Sequence, residues 1–355
     1  MTVIERAPGG GEAPEVRWGM LSTASIGRTL APAIDAARGA RLVAVAGRDA
    51  RRTEDFAREL GIERAHAGYE QLLADPEVDA VYIPLPIALH AEWTIRALES
   101  GKHVLCEKPL ALTAADAAAC FDAAAAADRV LIEGLMWRQH PRTRLVENLL
   151  AEGAIGDLAL VRAALTVDAP AGDIRRTAAL GGGAHRDLGC YCVSALRLLA
   201  GEPRSVRAAR VVDEAPGADD GDLRMAATLE MSGGILAQLD VGLDLERRDE
   251  LELVGTRGRL LVPDPWLCRE TSVTLVQGEQ ARRIEADPDG ALGLAPGPDS
   301  LDAYRLEIES ASRAVRGEEA PRFGREDAIA QAAVLEAIDA AARTGESVDL
   351  TGGSR

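Results

Sequence analysis

Val16-Arg17-Trp18-Gly19-Met20-Leu21-Ser22-Thr23-Ala24-Ser25-Ile26-Gly27 is the stretch on which the fold turns. A strand-like run ending at Ser22 passes through small residues into a helix predicted from about Ser25 to Arg38. Such a turn brings helix N–H groups to the carboxyl end of a strand, where a dinucleotide pyrophosphate is held. The G-x-G-x-x-G fingerprint stands here as Ser22-x-Ala24-x-x-Gly27, with small residues replacing the first two glycines. Ser22, Thr23, Ala24, Ser25 and Ile26 are candidate cofactor contacts on this ground. A plain strand-helix turn would look similar, so the surrounding pattern has to decide.

Outward from this turn, strand-like runs at Arg41–Gly47, Asp79–Pro84, Lys102–Glu107 and Val130–Glu133 alternate with helical stretches. The helices fall near Ala50–Leu60, Tyr69–Ala74, His90–Ser100 and Thr113–Ala127, each with apolar residues three and four apart. That alternation predicts parallel βαβ units wound on both sides of one sheet. After His140-Pro141 the texture changes. One helix runs to Glu152, a strand covers Leu158–Thr166, a Gly-rich loop follows, and a helix spans about Arg186–Leu199. Strand-like runs then succeed one another near Val206–Val212, Leu223–Glu230, Ile235–Val241, Glu250–Val254, Arg259–Val262 and Ser272–Val276, which predicts antiparallel pairing. Helices at about Asp302–Arg316 and Arg325–Arg343 end the chain.

The expected class is α/β, with a doubly wound parallel Rossmann sheet first and an α+β domain with an open, largely antiparallel sheet second. The boundaries read as a disordered tail over 1–15, a dinucleotide domain over 16–137, and a substrate and oligomerisation domain over 138–350. A chain of 355 residues fits this, since domains run roughly 100–200 residues. The net charge of −17 would repel a phosphate backbone, so nucleic acid is not expected as a partner. No stretch reaches the roughly 18 uncharged apolar residues of a membrane helix. The segment Met1 to Pro14 lacks a secretion signal's apolar core, which points to the cytoplasm. Cys106, Cys120, Cys190, Cys192 and Cys268 are too scattered for a disulfide framework and read as reduced, mostly buried thiols. His185 lies near Cys190 and Cys192, but no second Cys/His pair accompanies it, and no metal is expected.

The second strand ends in Gly47-Arg48-Asp49, where an acidic residue would bind the ribose hydroxyls of NAD. Arg48 at that tip, near Arg51 and Arg52, instead suits the 2′-phosphate of NADP. NADP is therefore the expected cofactor, with NAD as the alternative. The competing reading of Arg51 and Arg52 is a solvated helix face paired with nearby carboxylates.

Leu105-Cys106-Glu107-Lys108-Pro109-Leu110 falls at the carboxyl end of the Lys102–Glu107 strand, the edge where open α/β sheets bind ligands. With Ile83-Pro84-Leu85-Pro86…His90, Glu133-Gly134-Leu135-Met136-Trp137-Arg138…His140-Pro141 and Gly181-Gly182-Gly183…Asp187-x-Gly189-x-Tyr191, the chain resembles the Gfo/Idh/MocA oxidoreductases. The resemblance covers nearly the whole chain. It is nearest to the branch of dimeric dihydrodiol dehydrogenases, NADP-linked xylose dehydrogenases and glucose-fructose oxidoreductases, which favours an arginine at the position of Arg48 and a tyrosine at that of Tyr191. It implies a homodimer or homotetramer assembled through the C-terminal sheet, and a Lys108-Pro109 bond that is often cis. Two departures stand out: the altered glycine pattern, and Ile87 where the family usually has asparagine.

The resemblance further implies that Leu85, Pro86 and His90 line the cofactor path, that Glu107 lies beneath the nicotinamide, and that Arg138 contacts cofactor or substrate. Lys108, Asp187 and Tyr191 are the expected catalytic and substrate-binding set. Transfer of a hydride at a carbinol carbon needs a group that handles the hydroxyl proton and a charge that steadies the developing alkoxide. A tyrosine, ordinarily near pKa ~10, would be lowered by the ammonium of Lys108. Asp187 and Tyr191, four apart, would share a helix face. The expected activity is an NADP(H)-dependent dehydrogenase or reductase acting on a sugar, polyol or dihydrodiol. A non-catalytic dinucleotide-binding regulator or scaffold is the alternative. Bland readings stand beside the sharp ones: His90 as a residue bonded only to backbone, Arg138 as an interdomain ion pair, Asp187 and Tyr191 as a helix-start carboxylate and a core tyrosine, and the triple glycine as a packing device.

Overall fold

The computed structural model describes residues 14–212 and 221–351. The expected tail lies outside them up to residue 13. The first sheet is assembled from β1 (Val16–Leu21), α1 (Gly27–Ala36), β2 (Ala40–Ala46), α2 (Ala50–Leu60), β3 (Arg64–His66), α3 (Tyr69–Leu73), β4 (Ala80–Ile83), α4 (His90–Glu99), β5 (His103–Glu107), α5 (Ala114–Ala127) and β6 (Leu131–Gly134). Its six strands are all parallel in the order β3-β2-β1-β4-β5-β6. The order reverses between β1 and β4, which leaves a crevice at their carboxyl ends. The central strands are buried on both faces, as a sheet covered by helices on both sides requires. Of the six, β3 had no counterpart in the predicted strands. It is a short polar edge strand, Arg64-Ala65-His66, with no apolar alternation to give it away.

A 3-10 turn at Met136–Gln139 leads into α6 (Pro141–Ala151), capped by His140, whose ring Nδ1 accepts from the Arg142 N–H at 3.2 Å. The second domain then runs β7 (Leu158–Asp168), α7 (Cys190–Ala200), β8 (Pro203–Val212), β9 (Asp222–Met231), β10 (Leu236–Gly242), β11 (Asp244–Gly255), β12 (Arg259–Pro263), β13 (Ser272–Gln277), β14 (Gln280–Glu285), α8 (Asp302–Val315), α9 (Arg325–Thr344) and β15 (Val348–Asp349). Nine strands lie in the order β14-β13-β12-β11-β7-β10-β9-β8-β15. The pairings are antiparallel except β7 with β10. The sequence pattern missed β14, β15 and the first half of β11, where charged residues such as Glu246, Arg247 and Arg248 mask the alternation.

The terminal helices bind the two domains together. Ile308, Ala311 and Ala314 of α8 complete the core around Trp18, Leu30 and Ile34, and the Trp18 indole donates to Ser312 Oγ at 3.1 Å. Ala328 and Ala332 of α9 enter the core beneath α4 and α5, while Leu335 and Ile338 of the same helix belong to the core of the second domain. Burying apolar surface in both cores makes these helices part of both units.

Candidate active site

A cavity of about 540 Å³ opens between the carboxyl edge of the parallel sheet and the second domain. At its cofactor end, Ser22 holds φ 132°, a conformation that glycine adopts without strain. The Ser22 Oγ accepts from the Ala24 N–H at 2.9 Å and donates to the Pro84 carbonyl at 3.3 Å, so side-chain hydrogen bonds support the turn that glycine normally makes. Ala24, Ser25 and Ile26 line the cavity. Among the described residues, no protein acceptor meets the Ser25 or Ile26 N–H. Free amides at a helix start fit an anionic pyrophosphate. Gly27 serves packing: a Cβ there would stand 2.7 Å from Met20 Sδ and 2.9 Å from Phe56 Cζ. Ser22 braces the turn, and Thr23 faces a separate hollow with Arg28, Asp49, Arg51 and Arg52.

Asp49 caps α2 by accepting from the Arg52 N–H. The Arg52 side chain donates to the Thr23 carbonyl at 3.3 Å. Arg48 is exposed at the tip of β2, where burial pushes the Tyr69 phenol up and the Arg48 charge opposes that push. Leu85, Pro86, Ile87 and His90 line the cavity from the end of β4. His90 is buried, with Nδ1 2.8 Å from the Pro109 carbonyl and Nε2 2.8 Å from the Leu85 carbonyl. Burial pulls its pKa down, while those carbonyls favour a protonated ring. The backbone-bonded reading of His90 fits its ring contacts, and the residue also borders the cavity.

At the end of β5, Glu107 Oε1 accepts from the Tyr82 hydroxyl at 2.5 Å, and burial pushes the Glu107 carboxyl up. The Lys108-Pro109 bond is cis. Lys108 Nζ donates to the carbonyl of Asp187 at 2.7 Å and to its Oδ1 at 2.9 Å. Burial alone would lower the lysine, but Asp187, Cys190 and Glu107 outweigh it and hold the group as ammonium, above its ordinary range. Asp187 sits in a π-helical turn, His185–Gly189, that runs straight into α7. Asp187 and Tyr191 both face the cavity, as their spacing predicted.

Two expectations are corrected. The Lys108 ammonium lies over the Tyr191 ring, 4.8 Å from its centre, and the Tyr191 hydroxyl meets Met136 Sδ at 3.6 Å. Burial, with Tyr304 and Glu107 nearby, drives the Tyr191 pKa well above its ordinary value, so the phenol is protonated instead of lowered by the lysine. Arg138 does not line the cavity. It is buried, donates to Ser194 Oγ at 2.6 Å and to Asp327 Oδ2 at 2.5 Å, and stacks on Phe323. Of the two readings, the ion pair fits, but it lies within the second domain and not between domains, because the 3-10 turn points the guanidinium towards the start of α9.

The loop between β7 and α7 brings Asp173, Ile174, Arg175, Leu180 and Gly182 to the cavity. Its triple glycine is a packing device: a Cβ on Gly181, at φ 81°, would stand 2.9 Å from the Ile87 Cβ. Ile87, which replaces the usual asparagine, thus packs against this loop. His185 places Nε2 3.0 Å from the Leu335 carbonyl, and among the described residues no group of three or more His, Cys, Asp or Glu side chains could hold a metal. No helix among them is long and apolar enough to cross a membrane.

Residues 16–135 match the model of an oxidoreductase family with an NAD-binding Rossmann fold, and residues 143–261 match the C-terminal domain of the same Gfo/Idh/MocA family. The chain belongs to the Gfo/Idh/MocA oxidoreductases. It is 37% identical to D-xylose 1-dehydrogenase (NADP(+)) 2 of Haloferax volcanii, across 94% of this chain and 99% of that one. It is 32% identical to trans-1,2-dihydrobenzene-1,2-diol dehydrogenase of Danio rerio, across 84% and 88%. The crystal structure of KijD10, a 3-ketoreductase from Actinomadura kijaniata in complex with NADP and TDP-benzene, superposes with a TM-score of 0.83 at 32% identity, covering 92% of this chain and 98% of that one.

This Gfo/Idh/MocA oxidoreductase therefore works with a nicotinamide dinucleotide, for which the free amides of Ser25 and Ile26 and the strained Ser22 turn are the fitting cradle. Sequence reasoning missed several residues of the cavity wall, among them Met136, Arg247, Trp266, Leu267 and Tyr304. Met136 lies inside a quoted motif. The others come from β11, the segment after β12 and α8, where ordinary strand and helix patterns carry no sign of a site.

Proposed function

We propose that this enzyme uses NADP(H) to interconvert a carbinol and a carbonyl on a sugar, polyol or dihydrodiol. The observation that carries this reading is the convergence of a buried ammonium, Lys108, and a protonated phenol, Tyr191, on one cavity. The nicotinamide, when bound, supplies or accepts the hydride. Lys108, held by Asp187, stabilises negative charge growing on the substrate oxygen. In reduction, Tyr191 gives its hydroxyl proton to that oxygen; in oxidation, the phenolate takes it back. Glu107, Leu85, Pro86 and His90 border the cofactor side, and the Ser25 and Ile26 amides receive the pyrophosphate. Arg48, exposed at the strand tip, binds the 2′-phosphate.

Residues 16–137 serve the dinucleotide and 138–350 the substrate and assembly. The open sheet, with Leu236 48% exposed on β10, joins copies into a dimer or tetramer, which light scattering on the purified protein would count. The five buried free thiols suit a cytoplasmic setting.

Titration with NADPH and NADH, followed by fluorescence, tests the cofactor. NADPH should bind more tightly, and Arg48→Asp should weaken NADPH about 10- to 100-fold while leaving NADH nearly unchanged, the loss expected for a charge-assisted phosphate contact. Equal effects on both would remove Arg48 from the phosphate site. Binding of neither would overturn the dinucleotide site itself, and binding without turnover of any carbinol or carbonyl would favour the non-catalytic scaffold.

A further inference from the structure

We propose that Asp222, the first residue of β9, is a positioning residue that holds Asp187 against Lys108 from outside the cavity. The placement stands on geometry alone, and its effect on rate rests on the hydride-transfer reading above.

Asp187 lies in the π-helical turn His185–Gly189, a winding that is rare and short-lived along a chain, so contacts from other elements have to fix it. The first amide of the turn, the His185 N–H, donates to Asp222 Oδ2 at 2.7 Å. Asp222 is buried and does not line the cavity. Its carboxylate stands at the N-terminal end of the continuous helical run from His185 to Ala200, where negative charge is favoured. The other carboxylate oxygen accounts for the third glycine of the triplet. A Cβ on Gly183, at φ 126°, would stand 2.3 Å from Asp222 Oδ1. The Gly183 carbonyl in turn accepts the Asp187 N–H at 3.0 Å. Asp222 thus grips the backbone on both sides of Ala184. The His185 ring and the Arg186 guanidinium tie the turn to α9, at the Leu335 carbonyl and Asp339, and Asp222 ties it to the sheet. Two residues past His185, Asp187 presents its carbonyl and Oδ1 to Lys108. Removing the Asp222 acceptor leaves a buried amide unpaired, and a turn that shifts to satisfy it displaces both atoms that hold the ammonium.

The chain contains only two lysines, Lys102 and Lys108, so lysine labelled with 15N gives two Nζ signals. Lys102 Nζ is held far from the turn, by the Asp75 and Val78 carbonyls at 2.6 and 2.7 Å, and serves as the internal control. In Asp222→Ala the Lys108 signal should shift or broaden while that of Lys102 stays. With NADP and D-xylose or trans-cyclohexane-1,2-diol, whichever the parent oxidises faster, kcat should fall about tenfold at unchanged NADPH affinity, because a charge is misplaced. Asp222→Asn, which keeps an acceptor for the His185 N–H, should restore the Lys108 signal and most of the rate. In an Asp187→Asn background, Asp222→Ala should cost only about twofold, since the two residues act through one contact. Thermal melting shows which variants are folded, and Asp222→Ser, too short to meet the amide, serves if the Ala variant is not. An unmoved Lys108 signal in a folded Ala or Ser variant would overturn the proposal and leave the oxidoreductase reading standing. A tenfold loss undiminished in the Asp187→Asn background would do the same. A parent that binds NADPH but oxidises neither carbinol would count against the hydride-transfer reading, and the Lys108 signal would still decide the placement.

Discussion

Lys108 donates across the domain cleft to both the main-chain carbonyl and the carboxylate of Asp187, at 2.7 and 2.9 Å. One contact fixes the ammonium in place and the other supplies its counter-charge. Both side chains are largely buried, with 11% and 15% of their surface exposed, so solvent does little to screen the pair. Asp187→Ala should leave the ammonium uncompensated, costing roughly 3 kcal/mol of stability and about a hundredfold in kcat. Asp187→Asn, which keeps an acceptor, should recover most of the stability and less of the rate. Thermal melting and steady-state kinetics on the two variants separate these effects. A fully active Asp187→Ala would remove the pair from the mechanism.

Tyr191 sets the direction of the pH profile. Its pKa is driven upward by burial, so the proton-bearing form persists through neutral pH. Carbonyl reduction needs that proton and should stay flat through neutrality, declining only as alkaline pH removes it. Carbinol oxidation needs the phenolate and should climb with pH, by about tenfold per unit while the phenolate is scarce. Tyr191→Phe should cut both directions by about 10²- to 10⁴-fold and abolish the climb, with NADPH binding intact. Initial rates in both directions across neutral and alkaline pH check this, and an unchanged profile in the Phe variant would assign the proton elsewhere.

The parallel sheet was legible because its helices and strands carry strong periodicity; Lys108 was placed at the cavity because motif and strand-end position coincide, and Asp187 with Tyr191 because residues four apart on a helical segment share a face. Two kinds of information were not legible. Orientation was hidden at Arg138, which lies in a motif yet points to Asp327, because a 3-10 turn rotates the side chain away from the cavity. The same limit applied to Lys108, whose presence near Tyr191 was foreseen but not its seat on the ring face. Long-range assembly was hidden at Trp266 and Tyr304, since nothing in their local sequence says that folding delivers them to the cavity. At Ser22 the residue type argued against a glycine-like turn, and hydrogen bonds to Ala24 and Pro84 supplied what glycine normally does.

Arg138 makes a prediction of the opposite sort from that of a cofactor ligand. Its guanidinium is 3% exposed and bridges Ser194, Asp327 and Phe323. Arg138→Ala should lower stability by roughly 3 kcal/mol, somewhat cushioned because Asp327 also pairs with Arg197. The folded variant should bind NADPH as the parent does. Weakened NADPH binding with an unchanged melting temperature would return Arg138 to the cofactor site.

His140 should govern part of the acid sensitivity. It is fully buried, and its Nδ1 must stay unprotonated to accept from the Arg142 N–H at the start of α6. Burial, reinforced by Arg142 and Arg305 and opposed by Asp302, lowers its pKa to about 4. An unfolded histidine binds its proton near pKa ~6.5, so below that value the unfolded chain takes up a proton that the native ring refuses. The contribution is therefore present above the unfolded pKa and is lost as the pH falls towards the folded one. Linkage between those two values gives a loss of about 2 kcal/mol between about pH 7 and about pH 5. His140→Asn keeps a side chain that caps helices well and does not titrate. Urea unfolding at the two pH values should show the parent losing about 2 kcal/mol more than the variant, and equal losses would mean that His140 titrates normally in the fold.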